Sequence, residues 1–387
     1  MAIQVGIPEA AMVSLTDMVD HCAEVKPGMD VLILAHKAGL YGGDDLVDEE
    51  AVAWTASVVQ SRGARCSILW IDEPNKVHEW RYPPIVKGAI AEADMVISTL
   101  FHISTTEFGE FRKHFEDAGT WAVRMFPVTA PLLMSEWAQT PYELITMIRH
   151  ISSKPFMKHM SKFVLTDPNG THLEGYTLDP VQRPGIPGLP YNSFRKGVRR
   201  VSFWPEWVHP PINCQDVNGV YYFNCMLSWW SRYIGIQPEW AEPIRIDVKD
   251  SRIAKISGGF EADALQRFLE EMETRVGDGI WKFDMFHFGV HPNARIQEYQ
   301  CPNALYRRIV NHSHTSNLHF HIGSAPANEN YGGYPHITGD IRRPTLTVGE
   351  TLVYDDGYLC CLDDPEILRV AAKYPDRPGI PPRISAK

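Results

Sequence analysis

Seven of the chain's 16 histidines, His287, His291, His312, His314, His319, His321 and His336, fall inside one stretch of fifty residues. Histidine is the commonest metal ligand and the natural acid or base near neutral pH, so this density marks a candidate metal or catalytic site. Taken singly, each is more ordinary as a hydrogen-bonded structural residue. In "SNLHFHIGSA" the apolar Leu318, Phe320 and Ile322 alternate with Asn317, His319 and His321. A strand there sends the apolar set into a core and both histidines to the other face. His287 and His291 have helical i, i+4 spacing, but Gly289 and Pro292 oppose a helix, and the HExxH signature of zinc peptidases is absent. Only one of that pair is expected to point inward.

A second pairing lies in "YGGYPHITGDIRRPTL", where His336 and Asp340 stand four apart among Gly332, Gly333, Pro335 and Gly339. Fully extended, that segment separates the two Cα atoms by about 13 Å, at roughly 3.3 Å per residue. If both bind one ion the chain must bend between them, and Gly339 makes a bend cheap. Adding His287 from a distant strand gives two neutral nitrogens and one carboxylate. Such a set leaves coordination positions open and suits non-haem Fe(II), although zinc tolerates the same ligands.

Two kinds of element must position these residues. Residues 1–155 alternate helical and strand patterns: "DVLILAH", "RCSILWID", "DMVISTLFH" and "WAVRMF" read as strands, while "EEAVAWTASVVQSRG", "FGEFRKHFEDAG" and "TPYELITMIRHIS" read as helices. This order predicts an α/β, doubly wound parallel-sheet domain, which places ligands beyond the carboxyl ends of its strands. His102 ends "DMVISTLFH" and is of interest for that reason. Residues 156–387 instead offer short strands and one or two helices, including a hairpin turning at Asp167-Pro-Asn-Gly170, and predict an α+β domain carrying the histidines. A Pro/Gly-rich passage from Pro180 to Pro211 reads as an ordered loop, and the proline-rich tail as extended chain over the surface.

Composition narrows the classes. With 387 residues and 44% hydrophobic content the chain is long enough for two packed cores. A net charge of −10 argues against a nucleic-acid partner. No apolar run approaches the roughly 18–20 residues of a membrane span, and the opening segment lacks the pattern of a signal peptide, so a cytoplasmic protein is expected. The seven cysteines are scattered without CxxC spacing, which signals neither a disulfide framework nor a thiolate zinc site. GxSxG, GxGxxG and GxxxxGK[ST] are all absent. The aromatic passage "FWPEWVHPPINC", with Trp204, Trp207 and His209, reads equally as the wall of a flat pocket or as core.

"DMFHFGVHPNARI" followed by "NLHFHIGSAPANENYGGYPHITGDIRRPTLTVGETLVYDDGYL" resembles the C-terminal half of the aminopeptidase T metallopeptidases. It is more similar to their oxygenase relatives, the 2,5-dihydroxypyridine 5,6-dioxygenases. The "TDPNGTHLEG" hairpin and the "RIAKISGGFEADALQRFLEEM" unit fit the same framework, so the likeness spans most of residues 20–360. In the peptidases a glutamate opens the "ExGxGxNP" pattern; here that position is His287. The resemblance implies iron ligands at His287 and His336, and His102 as acid/base. The family's His-x-Asp becomes His336-Ile337-Thr338 here, so Asp340, two residues on, is the expected carboxylate, with His319 and His321 as substrate-binding residues or alternative ligands. The implied function is an Fe(II)-dependent, extradiol-type ring-cleaving dioxygenase acting with O₂ on a small hydroxylated aromatic or N-heteroaromatic compound, in a homo-oligomer. The alternatives are a divalent-metal hydrolase of the aminopeptidase T type and a non-catalytic small-molecule-binding protein.

Overall fold

The structure is a computed structural model that describes residues 6–36, 48–71, 84–99, 118–125, 128–157, 160–178, 200–205, 208–209, 211–298, 304–323 and 337–383. Strands β1 (Asp30–His36), β2 (Arg65–Ile71), β3 (Met95–Ser98) and β4 (Trp121–Met125) follow the apolar runs of the N-terminal part. After a hairpin of β5 (Lys162–Thr166) and β6 (His172–Thr177), β7 (Arg200–Trp204) returns to complete an all-parallel sheet of order β2-β1-β3-β4-β7. Every residue of β3 and β4 is buried, as expected of strands covered on both faces.

The two faces separate with period two. Val31, Ile33, Ile97 and Val123 join the main core, where the helix Glu49–Ser61 contributes Val52 and Val59. Leu32, Leu34, Val96 and Ala122 form a smaller core under Val86 and Ile90 of the helix Pro84–Glu92. Helices on opposite faces make the domain doubly wound. Asp48 caps the first of these helices, accepting from the Ala51 N–H at 2.6 Å, while its second carboxylate oxygen takes the Ala130 N–H at 2.6 Å. β7 arises from the stretch that sequence alone assigned to the second domain, so the chain crosses between sheets three times, from β4 to β5, from β6 to β7 and from β7 to β8 (Ile212–Cys225). Trp204 at its end is core, only 1% exposed, and lies 6.3 Å from Trp137.

The second sheet is antiparallel and has eleven strands. The hairpin β5/β6 turns where expected, with Asp167 Oδ1 accepting from the Asn169 and Thr171 N–H groups. β8 (Ile212–Cys225) is the long strand that organises the rest, pairing with β6 and with β9 (Glu239–Lys249), which in turn carries β10 (Arg252–Ser257). β11 (Met285–Phe288), β12 (Leu318–Ile322) and β13 (Ile337–Ile341) pair in sequence, and β8 touches both β13 and β11, closing a ring. β14 (Thr345–Val348), β15 (Thr351–Asp355) and β16 (Tyr358–Leu359) extend the other edge beside β5. Inside the ring Phe283 and Phe320 stack at 4.7 Å, with Tyr221 and Phe286 packed against Phe320. Aromatic pairs of this kind add about 0.5–1.5 kcal/mol each beyond burial.

Two features tie the halves together. The tail crosses back so that Arg377 meets Asp17 at 3.2 Å and donates to the Gln139 carbonyl at 2.7 Å. His291, fully buried, donates from Nε2 to the Trp137 carbonyl at 2.9 Å, accepts the Asn293 N–H at Nδ1, and stacks on Trp137. Both ring nitrogens are thereby used, and His291 is a structural residue. Burial pushes its pKa down to about 3. The unfolded chain, with an imidazole pKa near 6.5, binds a proton that the folded state refuses, so this contribution is complete above about pH 6.5 and is lost as pH falls toward 3. Urea melts are expected to weaken across that window by up to about 1.4 kcal/mol per pH unit for this group, with a shallower slope in His291→Gln.

Candidate metal centre

Because β11 and β12 are antiparallel with His287 opposite His319, and side chains alternate along each strand, His287, His319 and His321 leave the sheet on one face while Phe286, Phe288 and Phe320 fill the other. β13 places Asp340 opposite His319 and Thr338 opposite His321. Gly289 lets the chain after β11 pass this close, since a Cβ there would lie 2.1 Å from the His314 carbonyl oxygen. The result is two overlapping groups. One donor atom from each of His287, His319 and His321 lies within 4.8 Å of the others, and the same holds for His312, His319 and Asp340.

The first group contains no carboxylate, and one of its imidazoles is already oriented. His287 is half-buried, and His319 and His321 are 2% and 5% exposed. Its Nδ1 stands 2.7 Å from the His209 carbonyl oxygen, which can only accept, so Nδ1 carries the proton and Nε2 the lone pair. A backbone carbonyl fixing the far nitrogen is the usual support of a metal-binding imidazole. His209 is itself clamped: its N–H donates to the Phe288 carbonyl at 2.8 Å, its ring stacks 4.4 Å from Phe288, and its Nε2 lies 2.8 Å from Ser153 Oγ. The rings of His287 and His321 are 4.5 Å apart at their centroids. Three imidazoles facing one point, one with its tautomer set, fit a divalent metal of the borderline kind, iron or zinc among them.

The second group is charged and crowded. Asp340 is fully buried, and its Oδ2 accepts from the guanidinium of Arg308, from His312 Nδ1 at 2.8 Å and from Asn317 Nδ2 at 3.3 Å. Burial by itself would raise the Asp340 pKa, but His312 and Arg308 outweigh it and hold the carboxylate ionised. Oδ1 has no hydrogen-bond partner among the described residues. Arg308, 1% exposed, comes from the helix Ala304–Asn311, and places a permanent positive charge where a dication on Asp340 would have to be accommodated. Asp340 is thus ion-paired with Arg308 through Oδ2 and bonded to His312, whose ring is 4.2 Å from that of His319.

His287, expected as a ligand, thus meets His319 and His321, expected as substrate-binding residues. Asp340, expected as the carboxylate ligand, lies opposite His319 in the second group and bonds Arg308 and His312. His102, His336 and Trp207 lie outside the described residues. Thr338, in the position of the family's carboxylate, accepts the Leu227 N–H at 3.1 Å and has a structural partner. The expectation that Gly339 bends the chain is corrected: Ile337–Ile341 is a continuous strand, and glycine is needed there because a Cβ would stand 2.9 Å from the Phe223 ring. Gly339→Ala is accordingly expected to lower stability by about 1–3 kcal/mol through overpacking, read as a fall in the urea midpoint at unchanged slope. Arg308, His312 and Asn317 are the site residues to which sequence reasoning assigned no role, and His209, read as pocket wall or core, instead supports His287 through its carbonyl. His312 was signalled by the histidine cluster, whereas nothing local marks a buried arginine.

No protein-family model and no curated protein matches the sequence. Among solved structures, the chain is similar to 2,5-dihydroxypyridine dioxygenase from Pseudomonas putida KT2440, with a TM-score of 0.65 and 14% identity over 93% of this chain and 99% of that one. It is also similar to AmpT from Thermus thermophilus, with a TM-score of 0.52 and 12% identity over 90% of this chain and 98% of that one. Both families that the sequence resembles thus have structural neighbours of this chain, and it has their two-part α/β fold.

Proposed function

We propose that this chain is a mononuclear Fe(II)-dependent dioxygenase that opens a small hydroxylated aromatic or N-heteroaromatic ring, with the described part of its metal seat formed by His287, His319 and His321. The observation that carries the reading is the donor set. It is rich in neutral imidazole, and the one carboxylate in the two groups, Asp340, is already charge-paired with Arg308. A hydrolase that clamps its substrate between two metals draws on carboxylates to hold and bridge them, and among the described residues the two groups offer one. Fold similarity to a dioxygenase supports the reading, while similarity to AmpT keeps the hydrolase as its rival.

Iron at this seat would supply the activation of O₂ and the polarisation of a ring hydroxyl. The protein's own residues do the rest: the His209 carbonyl fixes His287, the buried surroundings of His319 and His321 exclude water, and His102, from the resemblance, takes the hydroxyl proton. No helix among the described residues is long and apolar enough to cross a membrane.

Protein purified without oxygen is expected to contain iron and to consume O₂ with a dihydroxylated ring from a test panel. His102→Ala should keep its iron and turn over at least about 100-fold more slowly, the usual scale of a general acid or base. Bound zinc, manganese or cobalt, with peptide turnover and no O₂ uptake, would hand the assignment to the hydrolase; absence of bound metal would leave a binding protein.

A further inference from the structure

The helix Tyr142–Ser153 of the first half ends at Ser153, whose Oγ lies 2.7 Å from the Arg149 carbonyl oxygen and 2.8 Å from His209 Nε2. A carbonyl oxygen only accepts, so the single hydroxyl hydrogen goes to Arg149, and toward His209 the same oxygen must accept. His209 Nε2 is therefore the donor. A serine–histidine pair at this distance is also the mark of an activated nucleophile, but that requires the hydroxyl to donate to the imidazole, and here the direction is reversed. The pair holds a ring in place instead. His209, 4% exposed, has Phe156 at 5.6 Å and Phe288 at 4.4 Å between ring centroids. Its backbone is held as well, because Val208 bridges Gly289 and the His209 N–H donates to the Phe288 carbonyl. With ring and backbone both fixed, the His209 carbonyl has one direction, and it is this carbonyl that takes the His287 Nδ1 hydrogen at 2.7 Å.

We propose that Ser153 is a positioning residue for the metal ligand His287, acting through His209, so that a helix of the first half sets how firmly the imidazole group of the second half holds a metal. The inference rests on the metal reading of His287, His319 and His321. Outer partners of a metal-bound imidazole govern affinity by about 10–100-fold, because they orient the ring and raise its basicity. Ser153 stands one link further out than the carbonyl, so its effect belongs at the lower end of that range. It is half-buried and its removal deletes one oxygen, which makes it a gentle probe of a connection that local sequence does not show.

Cobalt(II) titration of the full-length, chelator-stripped chain, in competition with a chromophoric chelator and read also by the cobalt absorption band, measures affinity and ligand geometry without turnover. Ser153→Ala should weaken binding about tenfold, and so should His209→Phe, which keeps an aromatic ring against Phe288 but cannot donate. The double variant should bind no more weakly than the worse single one, since two links of one chain do not add. Ser153→Thr keeps the hydroxyl and should bind like the wild type. Urea melts of the metal-free variants identify folded protein; should His209→Phe melt early, Ser153→Ala and Ser153→Thr decide alone. Unchanged affinity and an unchanged band in Ser153→Ala, with binding abolished in His287→Ala, overturn the inference and leave the metal reading standing, whatever happens to stability. Additive losses, or no rescue by threonine, also overturn it. Absence of cobalt binding in the wild type, or its retention in His287→Ala, overturns both.

Discussion

Asp340→Ala is expected to destabilise the protein by on the order of 3–5 kcal/mol, because it strands Arg308 as an uncompensated charge in a fully buried position. The same change releases His312 Nδ1 and Asn317 Nδ2, each with a lost acceptor. The metal dependence of the effect distinguishes a counter-ion alone from one that is also a metal ligand. If Asp340 holds Arg308, replacing both partners together, as in Asp340→Leu/Arg308→Met, should recover much of the stability, since a well-packed apolar pair can match a buried ion pair. If Asp340 is a ligand as well, metal-loaded protein should lose, beyond that, both its metal and the stability the metal confers. Urea melts of the single and double variants, with and without metal, separate the two.

His287→Ala is the substitution expected to cost the most function. It removes an imidazole whose far nitrogen is pinned by a backbone carbonyl and whose other nitrogen is thereby organised to present a lone pair. Metal content of the purified variant should fall to near zero, and turnover with it. Stability of the metal-free protein should change by no more than about 2 kcal/mol, since the side chain is only half-buried and leaves a single carbonyl to find another donor. His321→Ala should follow the same pattern. Retention of a full complement of iron in both variants would move the metal away from this group and back toward Asp340.

The chain's own pattern determined the elements. Continuous apolar runs separated by amphipathic helices can only be buried as a parallel sheet covered on both sides, and β1 to β4 follow those runs. Strict alternation in Leu318–Ile322 fixed that strand and the face on which His319 and His321 emerge, because a period of two leaves no other arrangement. The resemblance to the dioxygenases pointed to His287. What only the tertiary structure decided was register and pairing. Local sequence cannot say that His287 faces His319, that Asp340 lies opposite the same residue, or that Arg308 from a separate helix reaches that carboxylate first. Nor could it show that Arg200–Trp204 belongs to the first sheet, since a parallel partner is chosen by long-range packing rather than by neighbours in the chain. The reach of Asp340 toward a metal looked like a question of how far Gly339 could bend. It became a question of which positive charge the fold brings to the carboxylate, and electrostatics between distant segments is written in no local pattern.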